Sequence, residues 1–301
     1  MTDYVKQHSG SISFPANGQS WVILSDIEKR IKEKIEKIGK PLKDWDISIY
    51  RGILTGCNEA FIINKEKRDE LIKKSPNSAE IIRPILRGRD IKRYGYEFAE
   101  QYIIATFPSR KYDIDDYPAV RDHLLKYGKR KLEQSGKSGA RKKTSHKWFE
   151  TQDSIAYWDD FSKQKIIWGE ISDKPKFALD FNGMYYPEAT TFILTGEKIE
   201  YLFALLNSQI SEWFFSYIGT TTGVGTIRWK KFTIEQLLVV PPDKNTLVKI
   251  GELIINFRND RISQQIFEQE TNTLINHLYK LDSQEIIFIE NKRKGILSAH
   301  N

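Results

Sequence analysis

The chain changes its periodicity at the dipeptide Pro241-Pro242, and that change restricts the fold more than any other feature of its 301 residues. Before it, apolar residues come in short runs rich in β-branched and aromatic side chains: YIIAT (102–106), KIIWGEI (165–171), FALDF (177–181), TFIL (191–194) and LLVVPP (237–242). Runs of that length and composition predict strands. After it, Leu247, Ile250, Ile254 and Phe257 recur at spacings of three and four, and Ile262, Ile266, Leu274, Leu278 and Leu281 continue in a shifted register. This spacing predicts roughly 40 residues of helix, free of glycine after Gly251, which either packs on the domain or forms a strut for a partner. The expected fold class is α+β, a mixed-sheet domain with a helical C-terminal extension.

Further local signals fill in this outline. Ser25-Asp26-Ile27-Glu28 is a capping box, and such a box opens a helix. Ile27, Ile31, Ile35 and Ile38 then mark one apolar face, which Gly39 and Pro41 end. Asp46 to Tyr50 alternates as a strand, and RGILTGCNEAF makes a glycine-bearing turn into a second strand from Ala60 to Ile63. Lys65 to Lys74 reads as a helix, and Glu197 to Tyr217 has helical spacing throughout. The organisation expected is an N-terminal arm with a short helix over 1–40, a main domain over 41–242 and a helical segment over 243–301. The arm docks on the main domain or on a neighbour.

The charge is concentrated. The net charge is +7, yet residues 126–147 hold nine Lys/Arg against one Glu, so this stretch carries +8 and the rest about −1. With Gly136 and Gly139 it reads as a mobile loop. Two uses fit it: a loop that tracks phosphates, or a solvated basic linker. Trp148 and Phe149 come directly after it, and basic residues interleaved with aromatics suit nucleic acid better than a membrane surface. A second cluster, RPILRGRDIKRY (83–94), sets Arg83, Arg87, Arg89, Lys92 and Arg93 against Asp90 alone. Its arginines suit guanine or phosphate, or an ion-paired structural turn.

Several chemistries lack their residues. With one cysteine, Cys57, neither a disulfide within the chain nor a thiolate zinc cluster can form, which fits a reducing compartment. The five histidines have no metal-binding spacing, and no metal site is expected. No apolar run approaches the roughly 20 residues of a membrane span, and the first residues do not read as a signal peptide. A soluble, cytoplasmic protein without membrane contact is expected. An adenine methyltransferase needs a Gly-rich cofactor loop and an Asn/Asp-Pro-Pro-aromatic tetrad. The Pro241-Pro242 pair is flanked instead by Val240 and Asp243, and TGVGT (222–226) is a lone GxG. The acid-x-Lys pairs Asp90-x-Lys92 and Glu290-x-Lys292 lie in an arginine turn and a charged tail, poor settings for a magnesium nuclease. No catalytic residue is assigned.

Taken together and in order, several runs resemble the TaqI-like C-terminal specificity domain of type IIG restriction–modification enzymes and related adenine-specific DNA methyltransferases. They are Gly52-Ile53-Leu54-Thr55-Gly56 with Asn58, Ala60 and Phe61; Ile85-Leu86-Arg87-Gly88-Arg89-Asp90-Ile91 with Arg93 and Tyr94; and Lys165-Ile166-Ile167-Trp168. Leu205-Leu206-Asn207-Ser208, Arg228-Trp229, Leu237 to Pro242, and His277-Leu278-Tyr279 with Leu281 and Glu285 complete the series. The similarity spans roughly residues 20 to 290. GILTGCNEAF and LRGRDI carry it as a pair; either alone is weak. It implies a target-recognition domain for double-stranded DNA that directs methylation, cleavage or both. It also implies a methyltransferase or nuclease partner, as a fused domain or a separate subunit. S-adenosylmethionine and Mg²⁺ then belong to that partner, with no cofactor in this chain. The residues expected to position the DNA backbone are Lys129, Arg130, Arg141, Lys142, Lys143 and Lys147. Those expected near bases are Arg87, Arg89, Thr221, Thr222 and Arg228, with Arg93 and Lys230 beside them. Trp148 stacks on an extruded base or anchors its loop. A protein-interaction scaffold, or the specificity subunit of a phage-defence complex with incidental DNA affinity, remains the alternative.

Overall fold

A computed structural model describes residues 24–221, 226–293 and 295. The described chain divides into two compact units, each assembled from separate stretches. One holds the described residues of Met1–Trp45, Ser208–Gly219 and Glu235–Asn301; the other holds Asp46–Asn207 and the described residues of Thr220–Ile234.

The first unit is helical. Asp26–Ile38 forms the expected helix. Glu28 accepts hydrogen bonds from the backbone N–H and hydroxyl of Ser25 at 2.9 and 2.8 Å, and Ile31 and Ile35 are fully buried. Lys40–Pro41 pairs antiparallel with Leu238–Val239. The roughly 40 residues expected to be helical after Asp243 form two helices, Lys244–Arg258 and Gln264–Leu278, and a third, Ser283–Arg293, comes after them. The register shift seen in the sequence is a chain reversal between the first two. Asp260 sits at φ 54° after the first helix, and the Ser263 hydroxyl caps the second by accepting from the Ile266 N–H at 3.3 Å. The His277-Leu278-Tyr279 and Glu285 signature also has a structural role. The Tyr279 hydroxyl donates to the Leu238 carbonyl at 2.7 Å, and the buried Glu285 carboxylate takes the Lys34 ammonium at 2.6 Å.

Besides a three-stranded and a two-stranded sheet, the second unit has two larger sheets. One is a four-stranded antiparallel sheet ordered Phe177–Asp180, Lys165–Gly169, Thr191–Gly196, Ile47–Arg51. The other is mixed, ordered Tyr186–Pro187, Ile82–Leu86, Gln101–Ile104, Ile62–Asn64, with its first pair parallel. Ile53, Ile85, Ile103, Phe161, Ile167 and Ile193 meet in one buried cluster. A second cluster gathers Phe61, Leu71, Ile81, Val120, Leu124 and Leu132. Burying each such side chain contributes roughly 1.5–3 kcal/mol. This is the α+β, mixed-sheet architecture with a helical C-terminal extension that the periodicities predict.

Two local expectations change, and a strand is added. Ala60–Ile63 is not one strand: Asn58–Phe61 is a helical turn and the strand is Ile62–Asn64. The N–H groups of Ala60 and Phe61 turn back to the Cys57 carbonyl, and the Thr55 hydroxyl donates to Asn58 Oδ1 at 2.6 Å. Residues 83–86, the start of the basic cluster 83–94, belong to a strand, Ile82–Leu86. The helical run 197–217 breaks at Asn207, giving Ile199–Leu206 and Gln209–Ile218. The fully buried Asn207 carboxamide donates to the carbonyls of Phe203 and Phe177, both at 3.0 Å, and accepts from the Phe177 N–H. It joins a helix end to a strand edge, which a continuing helix cannot do.

Candidate nucleic-acid interface

The LRGRDI run forms a strand end, a single 3-10 turn over Gly88–Asp90 and a short strand Ile91–Lys92. Leu86, Ile91 and Asp90 are buried, whereas Arg89 is exposed. The Asp90 carboxylate accepts from Arg87 three times at 2.9 Å: from its backbone N–H, from Nε and from Nη2. Burial alone would push the Asp90 carboxyl up, but the Arg87 guanidinium and N–H outweigh it and hold the group below its usual range. Arg87 is therefore an internal fork, not the base-reading group expected from the sequence. Its charge is neutralised and its side chain is only 19% exposed. The turn is held close to the antiparallel sheet by glycine. A Cβ on Gly169 would lie 3.3 Å from the Gly88 Cα, backbone against backbone. Arg89 stands out from this pinned turn.

Two concavities flank Arg89, and Gly88, Arg89 and Thr190 line both. One, of about 560 Å³, brings Arg89 together with Arg228, Lys92 and Lys176, opposite Glu170. The other, of about 500 Å³, adds Asn58, Glu59, Gln101 and Glu188 to Arg89. Arg89 and Arg228, expected separately from the sequence, thus share a wall. Arg228 lies on the short strand Ile227–Arg228, paired with Ile171–Ser172. Its neighbour Trp229 is the anchor: it is buried, its N–H donates to the Glu170 carbonyl at 2.7 Å, and its own carbonyl accepts from Trp168 Nε1 at 2.7 Å. Arg228 Nη1 is 3.3 Å from Glu170. Thr221 belongs to the strand Thr220–Thr221 that pairs with Ile227–Arg228; Thr222 and most of the TGVGT loop lie outside the described residues. Lys230 is exposed.

The +8 segment is not the unstructured loop that its glycines suggest. Lys129–Leu132 is a helical turn, and two buried polar side chains organise the remainder of the segment. Gln134 Nε2 donates to the carbonyls of Lys147 and Glu150 at 3.1 Å. Arg141, assigned to phosphate positioning from the sequence, is 4% exposed. Its guanidinium donates to the carbonyls of Leu132, Thr55, Glu150 and Trp148 at 2.6–2.8 Å and lies over the Phe61 ring. Burial lowers its pKa to about 10. The correction is physical: no phosphate can reach a guanidinium enclosed by four carbonyls. Lys129, Arg130, Lys142, Lys143 and Lys147 are exposed and available for solvent-facing contacts. Trp148 packs half-buried on the cluster containing Phe61, edge-on to Phe149. Of its two expected roles, loop anchor is the one this placement supports. Arg93 also turns inward, donating to the Asn207 carbonyl. One edge of its half-buried guanidinium is thereby occupied.

Neither acid-x-Lys pair fits a magnesium site. Both Asp90 oxygens hold Arg87, and Lys292 is bonded to Glu28 and Tyr217. Among the described residues, no group of three or more His, Cys, Asp or Glu is arranged to hold a metal ion. Among the same residues, no helix is long and apolar enough to cross a membrane. Gln101, Glu188, Thr190 and Lys176 escaped the sequence reading, and Asn58 entered it only as part of the GILTGCNEAF run. They come from separate segments, and no single motif unites them.

An arginine pinned on a turn beside a mixed sheet gives the molecule a rigidly placed basic contact. Residues 83–239 match the TaqI-like C-terminal specificity domain, and the chain belongs to that family. No curated protein matches it in sequence. Among solved structures it is similar to the type IIL restriction-modification enzyme MmeI, solved in complex with DNA, with a TM-score of 0.52 and 12% identity over 86% of this chain and 37% of that one. The type IIG restriction endonuclease BpuSI is also similar, with a TM-score of 0.50 and 12% identity over 85% of this chain and 33% of that one. At such identity the likeness is one of fold. The chain spans about a third of the length of these enzymes.

Proposed function

We propose that this chain recognises one double-stranded DNA sequence and directs a methyltransferase or nuclease, fused or separate, to it. The observation that carries the reading is the exposed Arg89, fixed by the Arg87–Asp90 fork and the Gly88–Gly169 approach, on a wall shared with Arg228. A guanidinium held on a rigid turn is suited to bidentate contact with guanine. Exposed Lys129, Arg130, Lys142, Lys143 and Lys147 supply phosphate contacts that set register without reading sequence. S-adenosylmethionine and Mg²⁺ act in the partner, and the parent system methylates, cleaves or does both, in the manner of a type II defence against foreign DNA. Val248 and Ile255, seven residues apart on one helix, and Ile266 on the next are exposed. Exposed apolar side chains of this kind suit a protein neighbour, and here they favour the catalytic partner.

The test is binding of wild type and Arg89→Ala to selected and scrambled duplexes across a salt series. Arg89→Ala is expected to lose roughly 1–3 kcal/mol of discrimination at one base pair, while the salt dependence stays close to that of wild type. Equal loss on both duplexes makes Arg89 a phosphate contact and removes the main support for the reading.

A further inference from the structure

The two concavities beside Arg89 differ in chemistry. The Arg228 side presents Arg89, Lys92, Lys176 and Arg228 against Glu170. Lys92 and Lys176 rest in exposed pairs with Glu97 and Asp173. Such pairs are weak and can exchange for phosphate. The opposite side is close to neutral. Arg87 is balanced by Asp90 and Glu59 by Lys131, and Glu188 shares the lining with Arg89. With its cations offset, this side draws phosphate less than the Arg228 side, where four cations meet one carboxylate.

What that neutral side offers is carboxamide. Gln101 opens the strand Gln101–Ile104 and is half-buried. Its Nε2 reaches the Ala99 carbonyl at 3.5 Å, too long a contact to hold it. Asn58 is exposed, with Oδ1 fixed by the Thr55 hydroxyl at 2.6 Å, which leaves its Nδ2 as a donor. A carboxamide carries a donor and an acceptor side by side, the pattern that matches N6 and N7 of adenine in the major groove. Resting on the reading that this face meets duplex DNA, we propose that the Asn58–Gln101 side reads base edges, with Gln101 selecting an A·T pair next to the pair contacted by Arg89. The Arg228–Lys176 side carries the phosphates.

The experiment is selection from a random duplex library with the full chain, repeated with Gln101→Glu, Gln101→Ala and the double variant Lys176→Ala/Arg228→Ala. Wild type is expected to enrich a motif containing adenine beside guanine. Gln101→Ala loses the adenine preference by roughly tenfold. Gln101→Glu, now an acceptor only, shifts that one position towards cytosine, whose N4 donates. The double variant keeps the motif and lowers the salt slope by up to about 2. If both Gln101 variants enrich the wild-type motif, the subsite assignment is overturned while DNA recognition stands. The same holds if the double variant loses the adenine preference with its slope unchanged. If wild type enriches nothing, recognition itself fails and this proposal with it.

Discussion

Both basic segments of the second unit turn a guanidinium inward, but against different acceptors and with different consequences. In 126–147, Arg141 is enclosed by four backbone carbonyls drawn from Thr55, Leu132, Trp148 and Glu150. It carries a charge inward and closes a loop. In 83–94, Arg87 is held by one carboxylate three residues away, and the pair is neutral. It shapes a turn whose purpose lies in the next side chain but one, Arg89. The difference teaches that the basic residues of a cluster are not interchangeable. The most positive stretch of the chain gives Arg141 to the fold, and the modest turn leaves Arg89 exposed.

The largest effect expected is on stability. Arg141→Ala strands four carbonyls and leaves a void, and should cost about 3 kcal/mol or more, read as a lower denaturation midpoint. Arg141→Lys should recover little, because an ammonium cannot span the same fork of acceptors. A folded, equally stable Arg141→Ala that binds all duplexes weakly would return Arg141 to the phosphate-contact role.

A smaller effect is expected at Asp90. Asp90→Asn keeps the shape but weakens the charge-assisted bonds to Arg87, and should cost about 1–2 kcal/mol. The pH dependence sharpens the contrast. The folded pKa of Asp90 is lowered, so its contribution is fully present above the unfolded value of about 3.9 and is lost as pH falls through the folded value. Acid titration of wild type should show this loss, and Asp90→Asn should lack it. Duplex selectivity should fall in the variant with little change in salt slope. If selectivity is unaffected, the fork does not position Arg89.

The smallest effect is at the exposed lysines. Lys142→Ala/Lys143→Ala should leave stability within about 0.5 kcal/mol. It should weaken binding to every sequence alike and lower the salt slope by up to about 2. Selectivity lost at one base pair would show that these side chains are ordered readers.

Much of the fold was legible because its signals are local. The Ser25–Glu28 box and the Ile31–Ile35 face specify the helix Asp26–Ile38. The Lys65–Lys74 helix coincides with its expected bounds, and the apolar runs at 165, 177 and 191 became neighbours in one sheet. The features that local patterns miss involve side chains acting at a distance. Asn207 breaks an otherwise helical run because Phe177, thirty residues earlier, offers it a strand edge. Gly52 sits in the GILTG run because a Cβ there would collide with the Glu188 carbonyl at 2.0 Å, an approach no local pattern announces.

By itself the sequence determined the change from strand to helix at Pro241-Pro242, the two basic clusters and the order of motifs that marks the family. Periodicity, charge and spacing are properties of neighbouring residues. Only the tertiary structure decided which cations face outward. A guanidinium is silent about its acceptors until the chain folds. Arg141 finds Thr55 eighty-six positions away, whereas Arg89 and Arg228, far apart in sequence, come to line one concavity.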